Sequence, residues 1–579
     1  MAVLDKIEEL LTGMAGALDA NIIGVHGESH LLCPHDLRVH GRSVEAILPL
    51  IWLSQKTGDA TIMKRAEALY HSSRVFKNRS GGWENDLAFV RWPGTTVFWL
   101  EAIGSVIGHY ADRLNARFLN ELKTDYEEAV HFIGSKFNID SAVTNYTFAA
   151  ACVFLEAQKI LGPSATLDGY AQNSLSKIAK VFDEDGLIFG EGYPRYERTA
   201  NGFRPVDITY NIDESLLYLY RIAQLTGAPE YGDLFIKTLG AHWPFFLKDG
   251  GIDGSVGSRA FKWTYWGSRT TRGIVEPLMA IQKDSLDISA WLDSHIGVVA
   301  ENSKDGLLLG GPSYIEKGDA TACIQHTIFR AVALTNTLLH LEQPLNPSLL
   351  SGVADINFAD NHRNFRDAGI LLHKSNGWHV SSTVSDFEYG KHCSIASVLP
   401  ALVWHENIGP LLSAAIDPDL PPEPHNSQHQ PKWQIEDSTA RLEFSDGAET
   451  SKGAKNLVLK GMTANGWHVG SHNSEGQNYE CALSFDKDIV MKIKSERPAE
   501  LYLPVISGGG RKVIVQDRKV IIQRGDYQAI ISLESDDLNT RFEDAAECMT
   551  YNPGFMHKPI RTHIKANENV SIKIEAGPK

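Results

Sequence analysis

The chain has 579 residues, with 55 Lys+Arg against 71 Asp+Glu and a formal net charge of −16. Hydrophobic residues make up 43% and charged residues 22%, a globular mixture that excludes a disordered, collagen-like or disulfide-stapled chain. The acidic balance argues against nucleic acid or a membrane as the main partner, since both call for a basic face. An anionic substrate in a local basic pocket stays open.

The N-terminus, MAVLDKIEELLTGMAGALDANIIG, places Asp5, Lys6, Glu8 and Glu9 where a signal segment is apolar. No run approaches the roughly 18 apolar residues of a membrane span, so a cytoplasmic location is the expectation. The six cysteines are scattered without a CxxC pair, and no HExxH or HxH occurs. Neither a disulfide framework, a metal site nor a cofactor is expected. Walker, Rossmann and GxSxG signatures are missing too, which speaks against nucleotide and acyl-transfer chemistry.

The first 345 residues read as helical. Apolar-periodic segments start at Ser43 (SVEAILPLIWLSQKTGD), Thr95, Asn145, Asn211, Thr270 and Gln325. Each interval holds a second helical segment, such as ATIMKRAEALYHSSRVF. A helix pair recurring about every 50–65 residues predicts stacked α-hairpins, as a superhelix or a closed α/α toroid of about six pairs. The linkers favour the toroid, being long and rich in Gly, Trp, Tyr and Arg: NRSGGWENDLAFVRWPG, FGEGYPRYERTANGFRPVDITYN and KDGGIDGSVGSRAFKWTYWGSRT. Such loops converge on one end of a rigid scaffold and line a cleft. After Leu341 the pattern changes. From Ile356 to Lys579 it becomes short β-branched runs such as NLVLKGM and KVIVQDRKVIIQRGDYQAIISLES, predicting an antiparallel β-sandwich. Within it, Asp417–Trp433 reads as a long Pro-rich loop.

Three stretches carry candidate chemistry. Asn145 and Tyr146 open a helix in SAVTNYTF, where the Asn is either a cap or an amide donor to a substrate carboxylate. Glu191, Tyr193, Arg195, Tyr196, Asp207, Tyr210, Asn211, Asp213 and Glu214 form a polar–aromatic cluster before the next helix. Capping and the helix dipole account for the acids but not for the tyrosines. In GSRAFKWTYWGSRT, Arg259, Lys262, Trp263, Tyr265, Trp266 and Arg269 lie close together, with Arg272 just beyond. Arg forks bind carboxylates, and aromatic faces stack on sugars. Trp83 in the first linker is a further stacking candidate, and His326, His392 and His405 are weaker polar candidates.

These stretches resemble the heparinase II/III-type polysaccharide lyases and their alginate-lyase relatives. FRDAGILLHKSNGWHV is similar to the opening strands of that group's sandwich domain. SAVTNYTFAAACVFLEAQKILG resembles the helix whose Asn neutralises the substrate carboxylate, and FGEGYPRYERT…DITYNIDESLLYLY resembles the loop and helix that bring the catalytic Tyr. Where the group often has His directly after the Asn, this chain has Tyr146. The resemblance implies β-elimination on an acidic oligo- or polysaccharide. C5 of a uronate loses a proton, O4 leaves, and amide or guanidinium donors stabilise the aci-carboxylate. Asn145 with Arg269 or Arg259 are then the neutralising donors. Tyr210 comes first as acid–base, followed by Tyr146 and Tyr265, with His405 or His392 as a second group. Trp83, Glu191, Arg195, Asn211, Arg259, Lys262, Trp263 and His326 become substrate contacts. The alternatives are a glycoside hydrolase using two of Glu191, Asp213, Glu214 and Asp253, a uronate C5-epimerase, and a non-catalytic glycan-binding protein.

Overall fold

The computed structural model describes residues 2–579 apart from 26–27, 88–90, 193, 343–345, 347–348, 351, 354–355, 357–361, 390–391, 394–395, 415–437, 445–449, 454–455, 474 and 551. Tyr193 and the Pro-rich stretch Asp417–Trp433 lie outside the described residues, as does the side chain of His392.

Six helical hairpins follow among the described residues. Ile47–Thr57 pairs with Ala60–Ser73, Thr96–Tyr110 with Ala116–Ser135, Thr144–Leu161 with Ala165–Ile178, Leu216–Thr226 with Pro229–His242, and Val275–Ile281 with Leu286–Glu301. The sixth pair joins Ile324–Leu341 to Val3–Ala20, from the opposite end of the helical segment. The first-named helix of each pair touches the next such helix, and Ile324–Leu341 returns to Ile47–Thr57. The inner ring therefore closes, deciding toroid over superhelix.

Composition separates the two rings. Thr96–Ile107 is buried on every face, as an inner helix requires. Outer helix Ala116–Ser135 buries Phe118, Leu122, Tyr126, Ala129, Val130 and Ile133, a single stripe, and Asn115 caps it by accepting from the Phe118 N–H at 2.9 Å. Several outer helices leave through one repeated tight turn, bridged at Lys77–Trp83, Phe182–Ile188 and Phe246–Ile252. Gly81, Gly186 and Gly250 hold φ of 92°, 94° and 89° in these turns, which an L side chain rarely adopts. An ion-pair chain fills the toroid interior: Arg42–Glu45–Arg272–Glu101–Arg221–Glu276. Its members are nearly all solvent-excluded, so alternating charge is what makes their burial tolerable.

The helical part was expected to be all α. A short hairpin, Ile22–Val25 with Glu28–Leu31, interrupts it and packs on Ala60–Ser73. Beyond Leu341, strand His362–Phe365 opens a ten-stranded antiparallel sheet, and an eight-stranded one follows. One face of the first sheet packs on the toroid through Ile370, Leu372, Leu402, Trp404 and Phe555. Its other face meets the second sheet through Leu371, Val380, Val403 and Leu411. That double burial explains why all six residues of Trp378–Thr383 are buried. No helix among the described residues is long and apolar enough to cross a membrane.

Candidate active site

The inner helices point their N-termini to one end of the toroid. Asn145, Tyr210, Glu214, Thr270 and Cys323 all sit at or just before such starts. Helix N-termini favour anions there.

Asn145 occupies the first turn of Thr144–Leu161, and Val143 holds the cap position. The capping account of Asn145 is thus replaced. Its Nδ2 donates to Glu214 Oε2, its backbone N–H donates to Glu191 Oε1 at 2.6 Å, and its Oδ1 is buried without a protein partner. Asp207 is the true cap of the next helix, accepting from the Tyr210 N–H at 3.2 Å. A π-helical turn, Asn211–Ser215, follows, rotating Glu214 toward Tyr210. Thr270 Oγ1 stands 2.8 Å from both the Tyr210 hydroxyl and Glu214 Oε1. A threonine hydroxyl carries one proton, so when it donates to Glu214 it accepts from Tyr210. The three form a continuous hydrogen-bonded chain.

Electrostatics grade these three groups. Burial pushes the Tyr210 phenol above its ordinary value, opposed by the charges of Lys262 and Arg259. Arg259 lies 3.4 Å over the Tyr210 ring and is itself held by Asp207 at 2.9 Å and by Glu191. Burial raises Glu214 to about 8, against Arg259 and the hydrogen bond from Asn145. Glu191 is pushed up to about 7, also by burial. Arg269 is 2% exposed, and its Nη1 donates to Asn552 Oδ1 at 3.2 Å. Its Nη2 has no protein partner, and no carboxylate pairs with it among the described residues. A buried guanidinium without a counter-ion is costly. Asn552 comes from the sandwich and also donates to the Phe261 carbonyl at 2.6 Å.

Other candidates have different places. Tyr146 accepts from Trp92 Nε1 at 2.9 Å and is raised by burial, sitting at the edge of the cluster. Trp92, half-buried at the rim, is a better stacking surface than Trp83, which is buried and stacked on Trp99 at 4.5 Å. Trp263 is fully buried and donates to the Ile252 carbonyl, so it is core. Tyr265 belongs to another cluster, donating to Asp249 at 2.6 Å and accepting from Trp404 at 2.8 Å. Burial and Asp249 hold its phenol well above the ordinary range. The Asn211 amide contacts the Ile188 carbonyl at 2.8 Å and His242 at 3.1 Å, anchoring the loop. His326 lies buried and parallel to Trp266 at 6.2 Å, kept neutral by burial and by Arg269 and Arg330. His405 sits in a sandwich hairpin against Trp378 at 4.6 Å. Arg195 donates to the Asp140 carbonyl at 2.8 Å, and Lys262 is nearly buried beside Phe261. Of the carboxylates weighed for a hydrolase, Glu191 and Glu214 both stay at Asn145. Asp213 accepts from the Ser268 N–H at 2.7 Å, and Asp253 is bound to His379 at 2.8 Å. Sequence reasoning missed Thr270 and Asn552, which carry no catalytic signature. A separate cavity of about 530 Å³, lined by His109, Glu156 and Tyr220 among others, contains the already paired Arg221 and Glu276.

A closed α/α toroid backed by a β-sandwich, with Asn, Tyr and Arg gathered at the helix starts, defines a polysaccharide lyase of the carbon–oxygen class. Residues 18–348 match the ulvan lyase N-terminal domain, and the chain belongs to that family. It is 24% identical to a broad-specificity ulvan lyase of Formosa agariphila, over 97% of this chain and 92% of that protein. Among solved structures it is similar to a heparinase III, with a TM-score of 0.56, 9% identity and coverage of 98% of this chain and 85% of the other. It is also similar to a Streptomyces coelicolor A3 chondroitin AC lyase, with a TM-score of 0.54, 12% identity and coverage of 100% and 80%. These two likenesses concern the fold.

Proposed function

We propose that this lyase cleaves an ulvan-type, uronate-containing polysaccharide by β-elimination, with Tyr210 as the proton carrier and Glu214 as its reservoir through Thr270. The observation that carries this reading is the single hydroxyl of Thr270, 2.8 Å from both the phenol and the carboxylate. The substrate class rests on the family and on the Formosa agariphila relative.

The substrate carboxylate enters beside Arg269 Nη2, buried without a protein partner, and beside the Asn145 amide, whose Nδ2 is held by Glu214. Charge neutralisation there lowers the barrier to removing the proton at C5. The Tyr210 oxygen takes that proton while its own passes to Thr270, and the Thr270 proton passes to Glu214. The C5 electron pair forms the C4–C5 double bond as the C4–O4 bond breaks, and O4 takes the proton now on Tyr210. Glu214 returns its proton through Thr270, restoring the phenol. The scheme explains why a phenol raised by burial can still act: it never has to exist as free phenolate before substrate binds. Because Glu214 must start ionised, activity rises as pH passes upward through about 8.

The test is the ultraviolet absorbance of the unsaturated uronate with ulvan as substrate. Wild-type activity that collapses in Tyr210→Phe supports the scheme. New reducing ends without that absorbance refute elimination.

A further inference from the structure

We propose that a zinc ion held by Cys33, Cys323 and His35 pins the seam of the toroid, with the Asp36–His40 pair beside Cys33. The two sulfurs lie 3.9 Å apart although they are 290 residues distant in the chain. Two thiolates at 2.3 Å on a tetrahedral zinc stand about 3.8 Å apart, whereas a disulfide needs about 2.05 Å. The ligand atoms of Cys33, His35 and Cys323 all lie within 4.8 Å of one another, and those of Cys33, Asp36 and His40 do likewise. His40 Nε2 is 2.9 Å from Asp36 Oδ2, the carboxylate–histidine pairing that orients a metal ligand.

The surrounding backbone is prepared for this role. Leu37 donates to the Cys33 carbonyl at 2.8 Å and Cys33 to the Arg38 carbonyl at 2.9 Å, closing a small loop. Leu37 sits at its tip at φ 56° and is 72% exposed. A bulky residue held in that region points to a turn kept for what it presents. Cys323 immediately precedes the inner helix Ile324–Leu341. The ion would pin the sixth, circularly completed hairpin to the start of the first inner helix. It would also fix the wall beside Arg269, which explains a Cys–x–His unit and a remote Cys meeting at this seam.

The experiment is metal analysis of the full-length protein purified without a histidine tag. One zinc per chain is expected, lost in Cys33→Ser and in Cys323→Ser and retained in Cys481→Ser. Should the serine variants fold poorly, cobalt exchanged into the wild-type chain must show thiolate-to-metal charge-transfer bands. Chelator removal must also lower the melting temperature. A chain without bound metal and with six titratable thiols in denaturant overturns the assignment. So does a count of four, which reveals a disulfide, or a stoichiometric metal other than zinc.

Discussion

Replacing Tyr210 by Phe removes one oxygen and leaves the ring under Arg259 at 3.4 Å. The structural loss is a hydrogen bond to Thr270, about 1 kcal/mol, so circular dichroism and the melting curve should move little. Catalysis should suffer far more. A positioned acid–base group contributes about 10²–10⁴-fold, or about 2.7–5.4 kcal/mol of barrier at 1.36 kcal/mol per decade. The loss should fall on kcat, because Arg269 and Asn145 still bind the carboxylate. The partner variant Glu214→Gln should retain the fold, since burial already favours its neutral form. Its raised pKa means that the folded chain holds a proton the unfolded chain loses above its ordinary carboxylate value. Wild-type stability therefore declines from that value up to about 8, and the Gln variant should escape this decline. It should also lose the rise in activity near pH 8. Initial rates of unsaturated uronate formation on ulvan, taken across pH 6–10 for the three proteins (roughly a decade of kcat is resolvable), decide the matter. Tyr210→Phe within about tenfold of wild type, or Glu214→Gln with an unchanged pH profile, would refute the relay.

Arg269→Met should cut kcat/KM by about 10²–10³ while leaving melting unchanged or raised, because it removes a buried charge without a counter-ion. A large drop in melting temperature would instead assign Arg269 to the fold. Glu101→Ala should cost about 3–5 kcal/mol by leaving three buried arginines to share the two remaining carboxylates, Glu45 and Glu276, seen as a lower urea midpoint. Trp83→Ala should cost about 3–5 kcal/mol of stability without altering KM in the surviving folded protein. Trp92→Ala, at the rim, should raise KM with little change in melting, and the reverse pattern would exchange the two roles.

Much of the architecture was legible in the chain because it rests on short-range patterns. Inner helices apolar on all sides, outer helices with a single stripe and strands of period two each follow from local burial. Asn145 and Tyr210 were visible as polar residues at the starts of good helices, and Arg269 as a cation among aromatics. What the pattern could not show is which of several similar side chains share a space. Trp83 and Trp92 stand in one linker, yet one stacks in the core and the other meets the rim. Tyr210 and Tyr265 look alike in sequence, but the chain's path sends one to Thr270 and the other to Asp249. Ring closure is likewise non-local: Val3–Ala20 completes the hairpin of Ile324–Leu341, and Cys33 meets Cys323, only because the inner helices go once around. Local sequence determined the elements through propensity and burial. Tertiary structure alone decided the site, because proton relays, unpaired charges and metal-ligand sets depend on distances between residues far apart in the chain.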